Sequence, residues 1–150
     1  MTDIDAIDRR ILRVLIDDGR ITNSALAERV SLSPSACLRR VQQLERSGVI
    51  SGYRALIDPR ALGNGFTAYV AVGLSAHNKA TQEAFERSIA RSPEVLECHN
   101  VTGAYEYLLR VEVGDIIAYK KFHTEILGAL PPVATITSFI VMGSPKDQRG

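Results

Sequence analysis

The sequence predicts an α+β protein with two parts: three short helices and a hairpin, followed by a βαββαβ sheet domain. Apolar residues recur every three or four positions over the first third of the chain and alternate at strand spacing in the second half. A run of turn-forming residues separates the two patterns, from Asp58-Pro59-Arg60 to Gly63-Asn64-Gly65. The chain has 150 residues, which is enough for one ordinary domain or two small ones.

Three helices are expected before residue 48. The first covers about residues 4–17 and is followed by Gly19, a typical helix stop. A second, short helix is expected after Thr22, which can serve as its N-cap. Ser33-Pro34 opens a third, with serine at the cap and proline at the first helical position. The apolar stripes of the three helices comprise Ile4, Ile7, Ile11, Val14 and Leu15, then Leu26, Ala27 and Val30, then Cys37, Val41 and Leu44.

The segment after Gly48 is expected to form a small hairpin, or wing. Val49-Ile50 and Tyr53–Ile57 have the composition of two short strands around Ser51-Gly52. Three helices with a tight break before the third, followed by such a hairpin, are typical of a winged helix-turn-helix. We therefore expect this domain to cover residues 1–58, with a linker at 59–65.

The second half, residues 66–150, is expected to fold on the ferredoxin-like plan. Two successive βαβ units give an antiparallel sheet with helices on one face. The predicted strands are Phe66–Leu74, Val95–Val101, Tyr107–Val113 and Val133–Met142, and the predicted helices are Thr81–Ser92 and Ile116–Leu130. The uncovered sheet face is apolar enough that we expect a second copy of the chain to cover it.

Composition excludes several classes of protein. Hydrophobic residues make up 45% and charged residues 23% of the chain, which is typical of a globular protein rather than a disordered one. No apolar run can span a bilayer, and the acidic start is unlike a secretory signal, so we expect a cytoplasmic protein without membrane contact. Cys37 and Cys98 have neither zinc nor disulfide spacing and are expected to be buried. The scattered histidines at 77, 99 and 123 are expected at the surface or an interface, and no metal or cofactor is implied.

Charge is distributed in a way that favours DNA as a partner. The net charge is only +1, but residues 33–54 hold four arginines against one glutamate. Arginine suits bidentate contacts to guanine and phosphate. On the third helix, the predicted stripe turns Ser35, Ala36, Arg39, Arg40 and Gln43 outward. The expected DNA-binding residues are Thr22, Asn23, Ser33, Ser35, Arg39, Arg40 and Gln43. The pattern alone also allows a three-helix domain that binds protein.

Several segments together resemble the leucine-responsive regulator/asparagine-synthetase regulator (Lrp/AsnC, feast/famine) family. In the first half they are residues 7–12 (IDRRIL), 18–23 (DGRITN), 32–41 (LSPSACLRRV) and 44–50 (LERSGVI). In the second half, residues 97–109 (ECHNVTGAYEYLL) are similar to the family's effector-domain signature. The resemblance runs from about residue 4 to residue 142.

The resemblance implies a dimer formed by sheet-to-sheet packing, which assembles further into tetramers, octamers or a ring. It also implies an amino acid effector bound between dimers near the 103–107 loop. Glu106 replaces the aspartate of the family's Gly-x-x-Asp-Tyr pattern, which lengthens the side chain by one methylene. The expected effector-binding residues are Thr102, Gly103, Ala104, Tyr105 and Glu106, with Thr135, Thr137 and Phe139 on the last strand. From the residues alone, an ordinary hairpin with a surface glutamate is also open.

The sequence thus predicts a sequence-specific DNA-binding regulator that responds to an amino acid or a related small molecule, and not an enzyme. Two alternatives remain at this point. Sirohaem decarboxylases resemble the same two-domain family but act on a tetrapyrrole, and the outward Arg39-Arg40 pair argues against that activity. The other alternative is a scaffold whose effector site is vestigial.

Overall fold

The first helix begins where two aspartates cap it. In the computed structural model, which describes residues 3–147, α1 spans Ala6–Asp17 rather than starting at residue 4. The Asp5 side chain accepts hydrogen bonds from the backbone N–H groups of Ile7 and Asp8, both at 2.8 Å. The Asp8 side chain accepts one in return from the N–H of Asp5, which completes a capping box. The cap, rather than the apolar pattern, therefore sets the boundary.

Two more helices follow at the predicted caps. Helix α2 spans Asn23–Val30 and α3 spans Pro34–Arg46. The hydroxyls of Thr22 and Ser33 accept hydrogen bonds from the N–H groups three residues later, as expected for N-caps. The three helices enclose one small core. Its buried members are Ile11, Leu26, Ala27, Val30, Cys37 and Leu44.

The expected wing hairpin is absent from the described residues, so this prediction was wrong. Residues 51–58 form no strand ladder. The N–H of Ile50 bonds back to the carbonyl of Leu44, and the hydroxyl of Tyr53 donates to Glu45 at 2.9 Å. Leu56 and Ile57 are exposed. A two-stranded hairpin is marginal in water unless something packs on it, and both of these side chains are more than half exposed.

Residues 57–147 form a second unit around a four-stranded antiparallel sheet. The strands are β1 (Phe66–Leu74), β2 (Val95–Asn100), β3 (Tyr107–Val113) and β4 (Val133–Ile140), in the spatial order β2-β3-β1-β4. This is the ferredoxin-like order that the sequence predicts. The expected linker at 59–65 holds a short 3₁₀ helix, Pro59–Leu62, that belongs to this unit.

The helices of this unit differ from the prediction at their ends. Helix α4 spans Lys79–Ile89 because Asn78 caps it. The Oδ1 of Asn78 accepts a hydrogen bond from the N–H of Thr81 at 2.9 Å. Helix α5 spans only Ile116–Lys121 and continues as a π-helix, Phe122–Leu127. Gly128 closes this wide turn, since a Cβ there would lie 2.8 Å from the carbonyl oxygen of His123. No helix among residues 3–147 is both long and apolar enough to cross a membrane.

One face of the sheet packs on the helices, and the other face is open in the single chain. The helix face carries the larger core, in which Val70, Leu109 and Phe85 are fully buried. Strand register places Ala71, Leu108 and Thr137 side by side on the open face. The open face is less apolar than expected, because Arg110 forms ion pairs there with Glu97, at 2.8 Å, and with Glu112.

Candidate DNA-binding and effector sites

The exposed face of α3 presents three of the predicted DNA-binding side chains. Ser35, Arg39 and Gln43 are all exposed, and they repeat at four-residue spacing along one side of the helix. Among residues 3–147, Arg39 has no hydrogen bond or ion pair that would hold its guanidinium back. This face therefore offers a guanidinium, an amide and a hydroxyl in a row, which is the chemistry needed to read base edges.

The predicted residues at the start of α2 and α3 also hold the helices in place. Thr22 and Ser33 accept capping bonds, and the hydroxyl oxygens of Ser33 and Ser35 are 3.3 Å apart. The amide nitrogen of Asn23 donates to the carbonyl of Pro34 at 2.8 Å, which ties the start of α2 to the start of α3. A capping hydroxyl uses its oxygen as an acceptor and keeps its own O–H to donate, so Thr22 and Ser33 can still bond a phosphate.

Arg40 does not point freely outward as expected. Its Nη1 lies 2.7 Å from Oδ2 of Asp5 and 2.9 Å from Oδ1 of Asp8, and only 30% of its side chain is exposed. The reason is that α3 runs past the capped end of α1, where the two carboxylates lie. The N–H of Asp8, followed by the Arg40 guanidinium, holds the pKa of Asp5 below its ordinary value. The two carboxylates raise the pKa of Arg40 in turn.

In the second unit, Glu106 lies at the end of β1 and is held from two sides. Its Oε2 accepts the backbone N–H of Leu74 at 2.7 Å, and its Oε1 is 2.7 Å from Nδ1 of His77. The strand register shifts between Gly73 and Leu74, so this irregularity faces the carboxylate. Only 15% of the Glu106 side chain is exposed. The structure thus gives Glu106 a fixed position rather than that of a loose surface glutamate.

Three other predicted effector residues lie on the same loop and on the neighbouring strand β4. The hydroxyls of Tyr105 and Thr137 are 2.8 Å apart, which ties the 101–106 loop to β4. Thr135 pairs with Gly73 across the strands, and a Cβ on Gly73 would lie 2.2 Å from Oγ1 of Thr135 and 3.7 Å from Oε2 of Glu106. The missing side chain at residue 73 therefore leaves the room that the threonine hydroxyl and the carboxylate share.

The remaining predicted effector residues lie outside this cluster. Thr102, Gly103 and Ala104 are exposed at the tip of the loop, where Gly103 has a φ of 131° that favours glycine. Phe139 is exposed and lies further along β4, opposite Tyr69. Sequence reasoning missed Gly73, Leu74 and His77. A glycine inside a strand was the available signal, since it often marks a bulge or a close approach.

A second concave region lies between α4 and the edge strand β2. It is a shallow cleft of about 320 Å³, lined by Glu86, Ile89, Ala90, Val95, Leu96, Glu97 and Cys98. Cys98 is exposed rather than buried as expected, because β2 is a sheet edge. The hydroxyl of Tyr107 donates to Glu86 at 2.5 Å beside it. Within the described part of the chain, no group of three or more His, Cys, Asp or Glu residues could hold a metal ion.

Comparisons with known proteins cover both units. Residues 4–51 match the family model for winged helix-turn-helix DNA-binding domains, and residues 67–150 match that for the Lrp/AsnC ligand binding domain. The leucine-responsive regulatory proteins of Escherichia coli K12 and Salmonella typhimurium are each 42% identical over 144 residues. That alignment covers 96% of this chain and 88% of each relative.

Solved structures agree over nearly the whole chain. A transcriptional regulator from Neisseria meningitidis in complex with L-methionine superposes with a TM-score of 0.92 at 38% identity, over 97% of this chain and 94% of that one. A feast or famine regulatory protein from M. tuberculosis complexed with L-methionine has a TM-score of 0.84 at 33% identity, over 99% and 98% of the two chains.

Proposed function

The chain belongs to the Lrp/AsnC family of transcription regulators, and from this premise we propose which of its residues bind DNA and which bind an amino acid. It is a DNA-binding transcription regulator with an amino-acid-binding domain, and it is not an enzyme. The single observation that carries the effector assignment is the fixed Glu106 carboxylate in the ligand-binding domain, which the backbone N–H of Leu74 holds on the same side of Gly73 as the Thr135 hydroxyl.

Three exposed residues of α3 read the bases. Arg39 is suited to guanine, Gln43 to adenine, and Ser35 to a base or a phosphate. Thr22, Asn23 and Ser33, at the N-terminal ends of α2 and α3, contact phosphate, where helix N-termini favour anions. These contacts place the protein on the duplex, whereas the α3 face supplies the sequence preference.

Arg40 belongs to the same DNA-binding surface, where it contacts a phosphate. A guanidinium has five N–H donors, and the bonds to Asp5 and Asp8 both come from Nη1. The groups on Nε and Nη2 therefore remain for a phosphate while the bond to α1 is kept. Arg40 thus has two tasks: it positions α3 against α1 and it neutralises backbone charge.

Glu106 receives the ammonium of the effector. An α-amino acid needs an acceptor for its ammonium and donors for its carboxylate. The Glu106 carboxylate is the acceptor, and the hydroxyls of Tyr105, Thr135 and Thr137 with the Gly103–Ala104 backbone are the donors. The L-methionine complexes of similar proteins support a ligand of this class, and the name of the E. coli relative makes L-leucine a second candidate.

Assembly completes the site. We infer a dimer in which the open sheet face is covered by a second copy, and further assembly to a tetramer or octamer. The exposure of Thr102 and Phe139 in the single chain supports this, since both lie beyond the Glu106 cluster and can reach a ligand held between dimers. The domains are then residues 1–58 for DNA and 66–150 for effector and assembly, joined by 59–65. A cytoplasmic location follows from these ligands.

Titration calorimetry of the full chain against the twenty amino acids tests this proposal, with L-leucine and L-methionine as the first probes. We expect at least one of the twenty to bind with a stoichiometry of one per chain or less. If none binds the folded protein, the proposed effector class is wrong, while the assignment of the DNA-binding face is unaffected.

A further inference from the structure

His77 occupies the exposed side of the Glu106 carboxylate. It lies in the 75–78 loop between β1 and α4, with Nδ1 2.7 Å from Oε1 of Glu106. The other oxygen, Oε2, is taken by the N–H of Leu74. The His77 side chain is 78% exposed, so this one polar contact, rather than packing, holds the imidazole.

The ring nitrogen of His77 and the ammonium of a ligand would lie at the same oxygen of one carboxylate. A charged nitrogen approaches a carboxylate oxygen to about 2.7–2.9 Å, which is the distance at which the His77 nitrogen already lies. Because Leu74 fixes the other oxygen, an arriving ammonium meets the carboxylate at the position that His77 occupies. A ligand that binds Glu106 therefore has to share this oxygen with the imidazole or displace it.

We propose that His77 competes with the effector: its ring occupies the ammonium position of Glu106 in the effector-free chain and is displaced by a cationic ligand. This inference rests on the proposed binding of an amino acid at Glu106. It has a direct consequence for affinity, because the cost of displacing His77 is subtracted from the binding free energy of every ligand.

That cost is removed together with the imidazole. When residue 77 carries no ring, Oε1 of Glu106 is open, and an ammonium can pair with it without displacing a side chain. Ligand affinity should therefore rise when the imidazole is taken away.

The surroundings add few other charges. The 101–106 loop brings Glu106 and Tyr105, whose hydroxyl bonds Thr137. The ends of β1 and β4 contribute Gly73, Leu74, Thr135 and Thr137, which do not titrate. On α4 the nearest charge is Lys79, which pairs with Glu83 at 3.6 Å. Among the described residues, the competition for Oε1 is thus assigned to His77.

His77→Ala is the decisive variant, because alanine removes the ring that occupies Oε1 of Glu106. His99→Ala is the matched control: His99 is also an exposed histidine, 62% for its side chain, and it lies 3.5 Å from a different carboxylate, that of Glu97. The dissociation constants for L-leucine and L-methionine are measured by calorimetry on the full chain at pH 8.0.

We expect His77→Ala to bind the ligand about three- to tenfold more tightly than the wild type, because no side chain has to be displaced. His99→Ala should bind it as the wild type does. In the wild type, ligand addition should also shift the ring NMR signals of His77 and leave those of His99 in place. An affinity of His77→Ala equal to or weaker than that of the wild type, or an unshifted His77 ring, would overturn the inference alone. Absence of binding by any amino acid would overturn it together with the proposed effector class.

Discussion

Leu74 donates its backbone N–H to the Glu106 carboxylate at 2.7 Å, at the point where the pairing of β1 with β4 shifts its register. The bulge leaves this N–H without its regular place in the ladder, and a side chain from the start of β3 takes it. The chain therefore fixes the direction of its candidate ligand-binding carboxylate with a backbone group, which every substitution at Leu74 except proline would keep.

Replacing Glu106 tests its role in ligand binding. Glu106→Gln keeps an oxygen for the N–H of Leu74 but loses the charge, so effector affinity should fall by roughly ten- to a hundredfold. Glu106→Asp shortens the reach by one methylene and should change which amino acids bind. Both are measured by calorimetry against all twenty amino acids. Equal affinity of the wild type and Glu106→Gln for the same ligand would show that Glu106 is not the ammonium partner.

Gly73 should not tolerate a side chain unless Thr135 gives way. A Cβ at residue 73 would lie 2.2 Å from Oγ1 of Thr135 but 3.6 Å from its Cβ, which is an ordinary contact. Gly73→Ala should therefore lower the free energy of unfolding by about 1–3 kcal/mol, as overpacking does. Adding Thr135→Ala removes the clashing oxygen and should recover most of that loss. Chemical denaturation of the two single variants and the double variant measures this, and additive losses would rule out the clash.

Arg39→Ala should weaken DNA binding without affecting the fold. A lost base contact costs about 1–3 kcal/mol of binding free energy and relaxes sequence preference, whereas a lost phosphate contact weakens binding to all sequences and flattens its salt dependence.

Arg40→Ala should weaken DNA binding because a phosphate contact is lost. It should also lower the melting temperature, because Asp5 and Asp8 lose their partner. DNA footprinting at two salt concentrations, together with thermal melts, distinguishes the effect of Arg39→Ala from that of Arg40→Ala. Unchanged DNA affinity in both variants would remove α3 from the proposed interface.

The contact between Arg40 and α1 should weaken in acid. The pKa of Asp5 is held below its ordinary value of 3.8 by the N–H of Asp8 and then by Arg40, so its charged form stabilises the folded state. That contribution is complete above the ordinary value and is lost as the pH falls through the lower, folded value. Wild type should thus melt at a higher temperature than Arg40→Met at pH 6, and the gap should narrow below about pH 4.

Arg46→Met is the control for this experiment, since Arg46 lies at the other end of α3 and donates only to a backbone carbonyl of its own helix. The difference in melting temperature between Arg46→Met and the wild type should stay the same from pH 6 to below about pH 4. If the melting temperatures of the wild type and Arg40→Met differ as much in acid as at pH 6, the stabilisation does not come from the pairing of Arg40 with the charged Asp5.

Local chemistry made much of the fold predictable. The caps at Thr22 and Ser33, the strands Phe66–Leu74 and Tyr107–Val113 and the sheet order follow from residues close together in sequence and from alternation. The domain matches the winged helix-turn-helix class as predicted, but the hairpin was wrong: residues 49–57 have the composition of strands and form no strand pair. The change from α-helix to π-helix after Lys121 was not predicted, because the apolar residues there fit ordinary helical spacing; the wider turn buries Leu127, five residues after Phe122, rather than Ile126.

The site was harder to predict because its contacts join distant positions. His77 is 29 residues from its partner Glu106, and Arg40 is 35 from Asp5; no periodicity relates such pairs. The loop from residue 101 to residue 106 was nevertheless identified, since its glycine, aromatic and carboxylate stand side by side in the chain. The DNA-binding and effector residues and the exact domain boundaries remain predictions.

The most direct test is the selection of genomic DNA fragments by the full chain, with and without each of the twenty amino acids. The account predicts that a small set of related sequences is enriched, that Arg39→Ala loses this enrichment, and that at least one amino acid changes the recovery of these fragments in the wild type but not in Glu106→Gln. Recovery of random fragments under all conditions, or an enrichment that no amino acid alters, would contradict it.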